Sequence, residues 1–157
     1  MSDKIFPTAQ DAENAFYEAL ESRDLDAMMS VWAEDEEILC VHPLGPRLTG
    51  QDQVRESWAK IFAGEPAARV HVSQQVAISG MMIAVHNVQE NFTLPLDLTR
   101  EESRAQQVAD SRPAPIVATN IYLRTGAGWR MIVHHASPAP GEAEAPKRAT
   151  GLPKTLH

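Results

Sequence analysis

Gly128-Trp129-Arg130-Met131-Ile132-Val133-His134-His135-Ala136-Ser137 is the stretch that decides how this chain is read. Side chains alternate across a strand, so the adjacent histidines point to opposite faces and one of them enters whatever the sheet covers. The stretch follows Thr125-Gly126-Ala127-Gly128, a turn, and the apolar run from Ile116 to Leu123, so it reads as the last strand of a hairpin. Parity alone gives two registers, Met131, Val133 and His135 on one face and Arg130, Ile132 and His134 on the other. The second is more polar and suits a wet pocket.

Further upstream, Val70, Val72, Val76 and Ile78 alternate with His71, Ser73, Gln75 and Ser79, the pattern of a half-buried strand. Gly80 turns the chain into a second strand near 81–94, and the two form a long hairpin. Residues 95–113 carry mixed charge and read as a long loop or a short surface helix. The N-terminal part has a different period. Thr8 caps a helix over 8–22 with Ala12, Ala15, Phe16, Ala19 and Leu20 at helical spacing, and Asp24 caps a short one bearing Leu25, Met28, Met29 and Trp32. Ile38 to His42 reads as a strand stopped by Pro43-Leu44-Gly45-Pro46, and a third helix starting near Gly50 aligns Val54, Trp58, Ile61 and Phe62. Three helices interrupted by one strand and then a meander predict an α+β fold, the helices packed on one face of a curved antiparallel sheet.

Composition bounds the function. A chain of 157 residues makes one domain, read here as 1–137, and the Pro- and Ala-rich tail 138–157 cannot build a core of its own. With 14 basic against 21 acidic residues and no basic stripe, neither nucleic acid nor an anionic membrane is an expected partner. No apolar run is long enough to cross a membrane, and the single cysteine, Cys40, points to a reducing, cytoplasmic setting. Serine-nucleophile, phosphate-loop and dinucleotide motifs are absent, so no cofactor is expected. Cys40, His42, His86, His134 and His135 supply metal-ligand types without metal-ligand spacing; the expectation is no metal, and His86 reads as structural. The outer sheet face also carries Val, Ile and Met, which predicts a homodimer through that face.

Arg23-Asp24-Leu25-Asp26, Val31-Trp32-Ala33-Glu34-Asp35, the segment from Val41 to Gly50, Ser57-Trp58 and the run from Trp129 to Pro138 together resemble the SnoaL-like branch of the nuclear transport factor 2-like superfamily. The resemblance implies a cone-shaped fold and a pocket for a small apolar ligand. It does not imply one chemistry, because members include isomerases, cyclases, dehydratases and non-catalytic proteins. Against bacterial ketosteroid isomerase, a distant relative, His42 stands where that enzyme has its proton-shuttling aspartate, Phe16 where it has its enolate-binding tyrosine, and Asn120 where it has its protonated acid. Half of the oxyanion hole is then missing, and steroid isomerisation by that route is not expected. The resemblance nominates His42 as base, Asn120 as oxyanion donor and His134, favoured over His135 by the cavity-side register, as catalytic residues. Trp32, Trp58, Phe16 and Arg130 are nominated as ligand-binding residues. Two functions follow: a cofactor-independent isomerase, cyclase or dehydratase acting on a small apolar carbonyl compound, or a non-catalytic ligand-binding or dimerisation module.

Overall fold

The computed structural model describes residues 4–64, 67–93, 114–141 and 143–144. The segment 95–113, expected as loop or surface helix, lies outside the described residues, as does most of the tail.

Local sequence signals set the helices. Helix α1 (Ala9–Ser22) opens with a capping box: Thr8 Oγ1 accepts from the Asp11 amide at 3.1 Å, and Asp11 Oδ2 accepts from the Thr8 amide at 3.1 Å. Arg23, at φ 56°, closes it in the left-handed region, where a non-glycine residue is uncommon. Asp24 then accepts from the Ala27 amide at 3.0 Å to start α2 (Leu25–Val31), and α3 spans Gly50–Gly64.

Six strands follow the order β2-β1-β6-β5-β4-β3, where β1 is Leu39–Val41, β2 Arg47–Thr49, β3 Arg69–Ser79, β4 Ile83–Thr93, β5 Ile116–Thr125 and β6 Gly128–Pro138. The long strands form the expected antiparallel meander. Two features differ from the reading of the sequence. The sheet is mixed, because β1 lies parallel to β6, and the residues after the proline turn form a short strand, β2, paired with β1. Three residues between a proline and a helix are too short to carry an alternation signal.

Two bulges also overturn the simple parity. Gln74, at φ 51°, breaks the β3 register between Ser73 and Val76, so Val70 and Val72 pack on the core while Val76 and Ile78 turn outward. An inserted residue shifts every later side chain to the other face. In β6 the register slips between its pairings with Ile121 and Tyr122, so Met131 pairs with Tyr122 and His134 with Asn120, and both face the helices. The registers expected from parity are therefore broken at Ile132.

Between the helices and the concave face lies a core of Ala12, Phe16, Met28, Val31, Trp32, Val54, Trp58, Ala84, Val88, Ala118, Tyr122 and Met131. The N-terminal segment closes one end, where Phe6 bridges Gly128. At φ +94°, Gly128 has no Cβ to strike the Phe6 carbonyl oxygen, which would lie 2.7 Å away.

Candidate functional site

The concave face holds an unusual amount of buried polarity. Helix α1 aligns Ala9, Ala12, Phe16 and Ala19 with the core, and the same face carries Glu13 and Tyr17 four residues apart. Opposite them, alternate residues of β4 and β5 present His86, Glu90, Asn120 and Tyr122. The Gln74 bulge turns Gln75 inward to complete the set.

Glu13 is the hub. Its Oε1 accepts from Gln75 Nε2 at 2.7 Å, and its Oε2 accepts from Tyr122 Oη at 2.8 Å, His86 Nδ1 at 2.9 Å and Asn120 Nδ2 at 3.4 Å. A buried carboxyl group is tolerable only with such partners. Asn120 Nδ2 also donates to Tyr17 Oη at 3.0 Å, and Tyr17 donates in turn to Glu90 Oε2 at 2.6 Å. Burial pushes the Glu90 carboxyl up to about 7; the Tyr17 hydrogen bond opposes this and the charge of Glu13 adds to it. Burial likewise raises the phenols of Tyr17 and Tyr122, so both remain hydroxyl donors.

The nominated catalytic residues fall into two places. His134 Nδ1 lies 2.6 Å from Asn120 Oδ1. Since both amide hydrogens of Asn120 are directed at Tyr17 and Glu13, its oxygen faces His134, and His134 Nδ1 must donate. Burial, with smaller contributions from His42 and His135, pushes the His134 imidazole down to about 3, so the ring is neutral. It packs against Phe16 (4.8 Å between centroids) and Trp58 (6.2 Å). His42 sits just beyond β1, half-buried, with Trp58 edge-on at 4.6 Å. Ser57 gives its hydroxyl hydrogen to the Val54 carbonyl at 2.7 Å, so its oxygen accepts from His42 Nε2 at 3.0 Å. Desolvation lowers the His42 pKa. Trp58 thus touches both imidazoles, and of the two only His134 bonds to Asn120.

The ligand-binding candidates are similarly divided. Phe16 and Trp58 are core residues in edge-to-face contact, 5.6 Å between centroids. Trp32 and Arg130 instead line a cleft of about 1040 Å³ at the other end of β6. Phe16 leaves no hydroxyl at its position, but the next residue, Tyr17, supplies one to Asn120. Reading the helix only for apolar spacing misses Glu13 and Tyr17; the signal available was their shared face with Phe16. His135 and Arg47 are exposed. Cys40 is buried 3.7 Å from His42 Nε2, its thiol pushed up to about 12 by burial. Among the described residues no group of three His, Cys, Asp or Glu could hold a metal ion, and no helix is long and apolar enough to cross a membrane. A second cleft, of about 480 Å³, opens between α1 and β3 and reaches Glu13, Tyr17 and Gln75.

This arrangement of helices around a polar concave sheet matches known proteins. The SnoaL-like domain model covers residues 10–141. The chain belongs to the SnoaL-like domain family. Among solved structures, this SnoaL-like domain is similar to a Thiobacillus denitrificans protein provisionally named a calcium/calmodulin-dependent protein kinase type II association domain. The two are 36% identical with a TM-score of 0.75, over 87% of this chain and 99% of the other. A Streptomyces avermitilis protein of the nuclear transport factor 2-like family, provisionally named a dehydratase, is 28% identical with a TM-score of 0.68, over 83% and 92%. The Arabidopsis thaliana F-box protein SKIP8 is 25% identical over 122 residues, 78% of this chain; the chain spans only 46% of that protein's length.

Proposed function

We propose that this SnoaL-like domain, residues 1–137, is a non-catalytic association and small-molecule-binding module that works as a homodimer. The observation that carries this reading is the saturation of the interior. Proton abstraction by His42 with oxyanion stabilisation by Asn120 needs a free donor and a nearby base. Both Asn120 hydrogens are spent on Tyr17 and Glu13, and His42 is tied to Ser57 and makes no hydrogen bond to Asn120 among the described residues. The network instead holds α1 on the sheet. Val76, Ile78, Met82 and Ile83 are left about half or more exposed at the outer face and its adjoining turn, an apolar surface of the kind that marks a protein interface. The likeness to a protein named as an association domain supports the same reading, and the lone buried thiol of Cys40 supports a cytoplasmic setting. Light scattering at micromolar concentration is the test. A mass of twice 17.3 kDa, reduced to one copy by Ile78→Lys, is expected, and a wild-type monomer refutes it.

A second reading is favoured by one observation. Glu90, its carboxyl pushed up to about 7 by burial, accepts a hydrogen bond from Tyr17, which reaches the α1–β3 cleft, so the pair could exchange a proton with a small carbonyl compound there. The likeness to a protein named as a dehydratase supports it. In this version Glu90 and Tyr17 replace His42 and Asn120 as the working groups. Deuterium incorporation next to the carbonyl of cyclic ketones, lost in Glu90→Gln, would favour the enzyme over the module.

A further inference from the structure

Arg130 is an expensive residue to bury. It is 6% exposed, and among the described residues no carboxylate lies within ion-pair distance of it. One guanidinium hydrogen goes to the Trp129 carbonyl oxygen at 3.0 Å and another to the carbonyl oxygen of Lys4, while Phe6 covers one face of the plane at 4.9 Å. Two carbonyl oxygens orient the fork but do not neutralise its charge. Among the described residues three of its five N–H groups take no protein acceptor. A buried cation with no ion-pair partner among the described residues is costly, so a site that retains one is poised to receive an anion.

The surroundings supply the rest of a site. Arg130 lines the cleft of about 1040 Å³ beside Trp32, Met29 and Leu123, which offer an aromatic and aliphatic wall. Acidic residues are present at the same cleft, but each is accounted for. Asp26 is exposed and paired with Arg55 at 3.3 Å, Asp35 is exposed to water and salt that screen it, and Glu34, also exposed, forms no ion pair with Arg130 although its charge reaches the guanidinium. The charge that a buried ligand group meets is that of Arg130. Its planar fork suits a carboxylate or a phosphate, and the apolar wall beside it selects a carboxylate that carries an apolar body.

We propose that the cleft between α2 and the β5–β6 turn is a binding site for a small carboxylate with an apolar body, whose carboxylate is held by Arg130 and whose body lies on Trp32, Met29 and Leu123. The site shares no lining residue with the cleft that reaches the Glu13 network.

Titration of the full chain by calorimetry and by ¹H–¹⁵N spectra, reading the Trp32 indole and Arg130 side-chain signals, tests this with benzoate as probe. Saturable benzoate binding is expected, with benzamide weaker by at least about tenfold because it loses the charge-assisted fork, and inorganic phosphate weaker to a similar extent because it leaves the apolar wall uncovered. Arg130→Gln should lose benzoate binding to the same extent. Because Arg130 also ties down the N-terminal segment, Glu34→Gln provides an independent arm: it leaves those bonds intact, removes a competing charge from the rim and should tighten benzoate binding. Equal binding of benzoate and benzamide, equal binding of phosphate, retained affinity in folded Arg130→Gln, or no effect of Glu34→Gln overturns the proposal.

Discussion

Glu90→Gln should make the protein more stable at neutral pH and leave it little changed in acid. In the folded chain the Glu90 carboxyl titrates at about 7 against an ordinary 4.5, because burial penalises its charge. A folded-state pKa raised above the unfolded value means that the native state binds the extra proton between those limits. The contribution of Glu90 is therefore fully present below pH 4.5 and is lost as pH rises through 7. At about 1.4 kcal/mol per unit, the displacement amounts to roughly 3 kcal/mol. Glutamine keeps an acceptor for the Tyr17 hydroxyl and cannot ionise, so it removes this loss. Any fixed cost of seating the amide is independent of pH, which makes the difference between variant and wild type the informative quantity.

The wild-type curve alone would conceal the effect. His134, pushed from 6.5 down to about 3, has the opposite sign: its contribution is present above pH 6.5 and is lost as pH falls toward 3. Between pH 4.5 and 6.5 the two slopes nearly cancel. Urea unfolding of both proteins at half-unit steps from pH 4.5 to 8 should give a difference that grows by about 3 kcal/mol and levels off above pH 7. A difference flat to within about 1 kcal/mol across that range would refute the argument, since a solvated carboxyl has no such window.

Other consequences can be checked on the same preparation. Tyr17→Phe removes the donor to Glu90 and strands one Asn120 hydrogen in the core, so urea unfolding should show a loss of about 1–3 kcal/mol and a still higher Glu90 titration. Phe16→Ala, at the junction of Tyr17, Trp58 and His134, should cost about 3–5 kcal/mol by the same measurement. Cys40, with its thiol pushed up to about 12 and no exposure, should resist a thiol reagent at pH 8 until urea unfolds the chain; rapid native labelling would contradict the burial.

Much of the architecture is legible in the chain because it depends on local rules. Thr8 with Asp11 and Asp24 with Ala27 announce helix starts by hydrogen bonds made within one turn, and the hairpin of β5 and β6 is announced by glycines between two apolar runs. Such signals need no distant partner. Family resemblance in the Trp129–Pro138 run likewise survives because the strand closes against both β5 and β1. The interior polar network is a different matter. Glu13 and Tyr17 look like solvent-facing helix residues until β3, β4 and β5 bring Gln75, His86, Glu90, Asn120 and Tyr122 to them from 62 to 109 residues away. The same holds for parity. The bulge at Gln74 and the slip in β6 each add one residue to a period of two, so which of Val76, Met131 and His134 faces the core is set by strand pairing, not by spacing. The sequence alone therefore determined the helices, the long strands, their order and the family, since these rest on contacts a few residues apart, but not the short strand β2. Which polar groups meet, which are already satisfied, and that Arg130 has no ion-pair partner among the described residues, was decided only by the tertiary structure, because hydrogen-bond saturation is a property of three-dimensional neighbours.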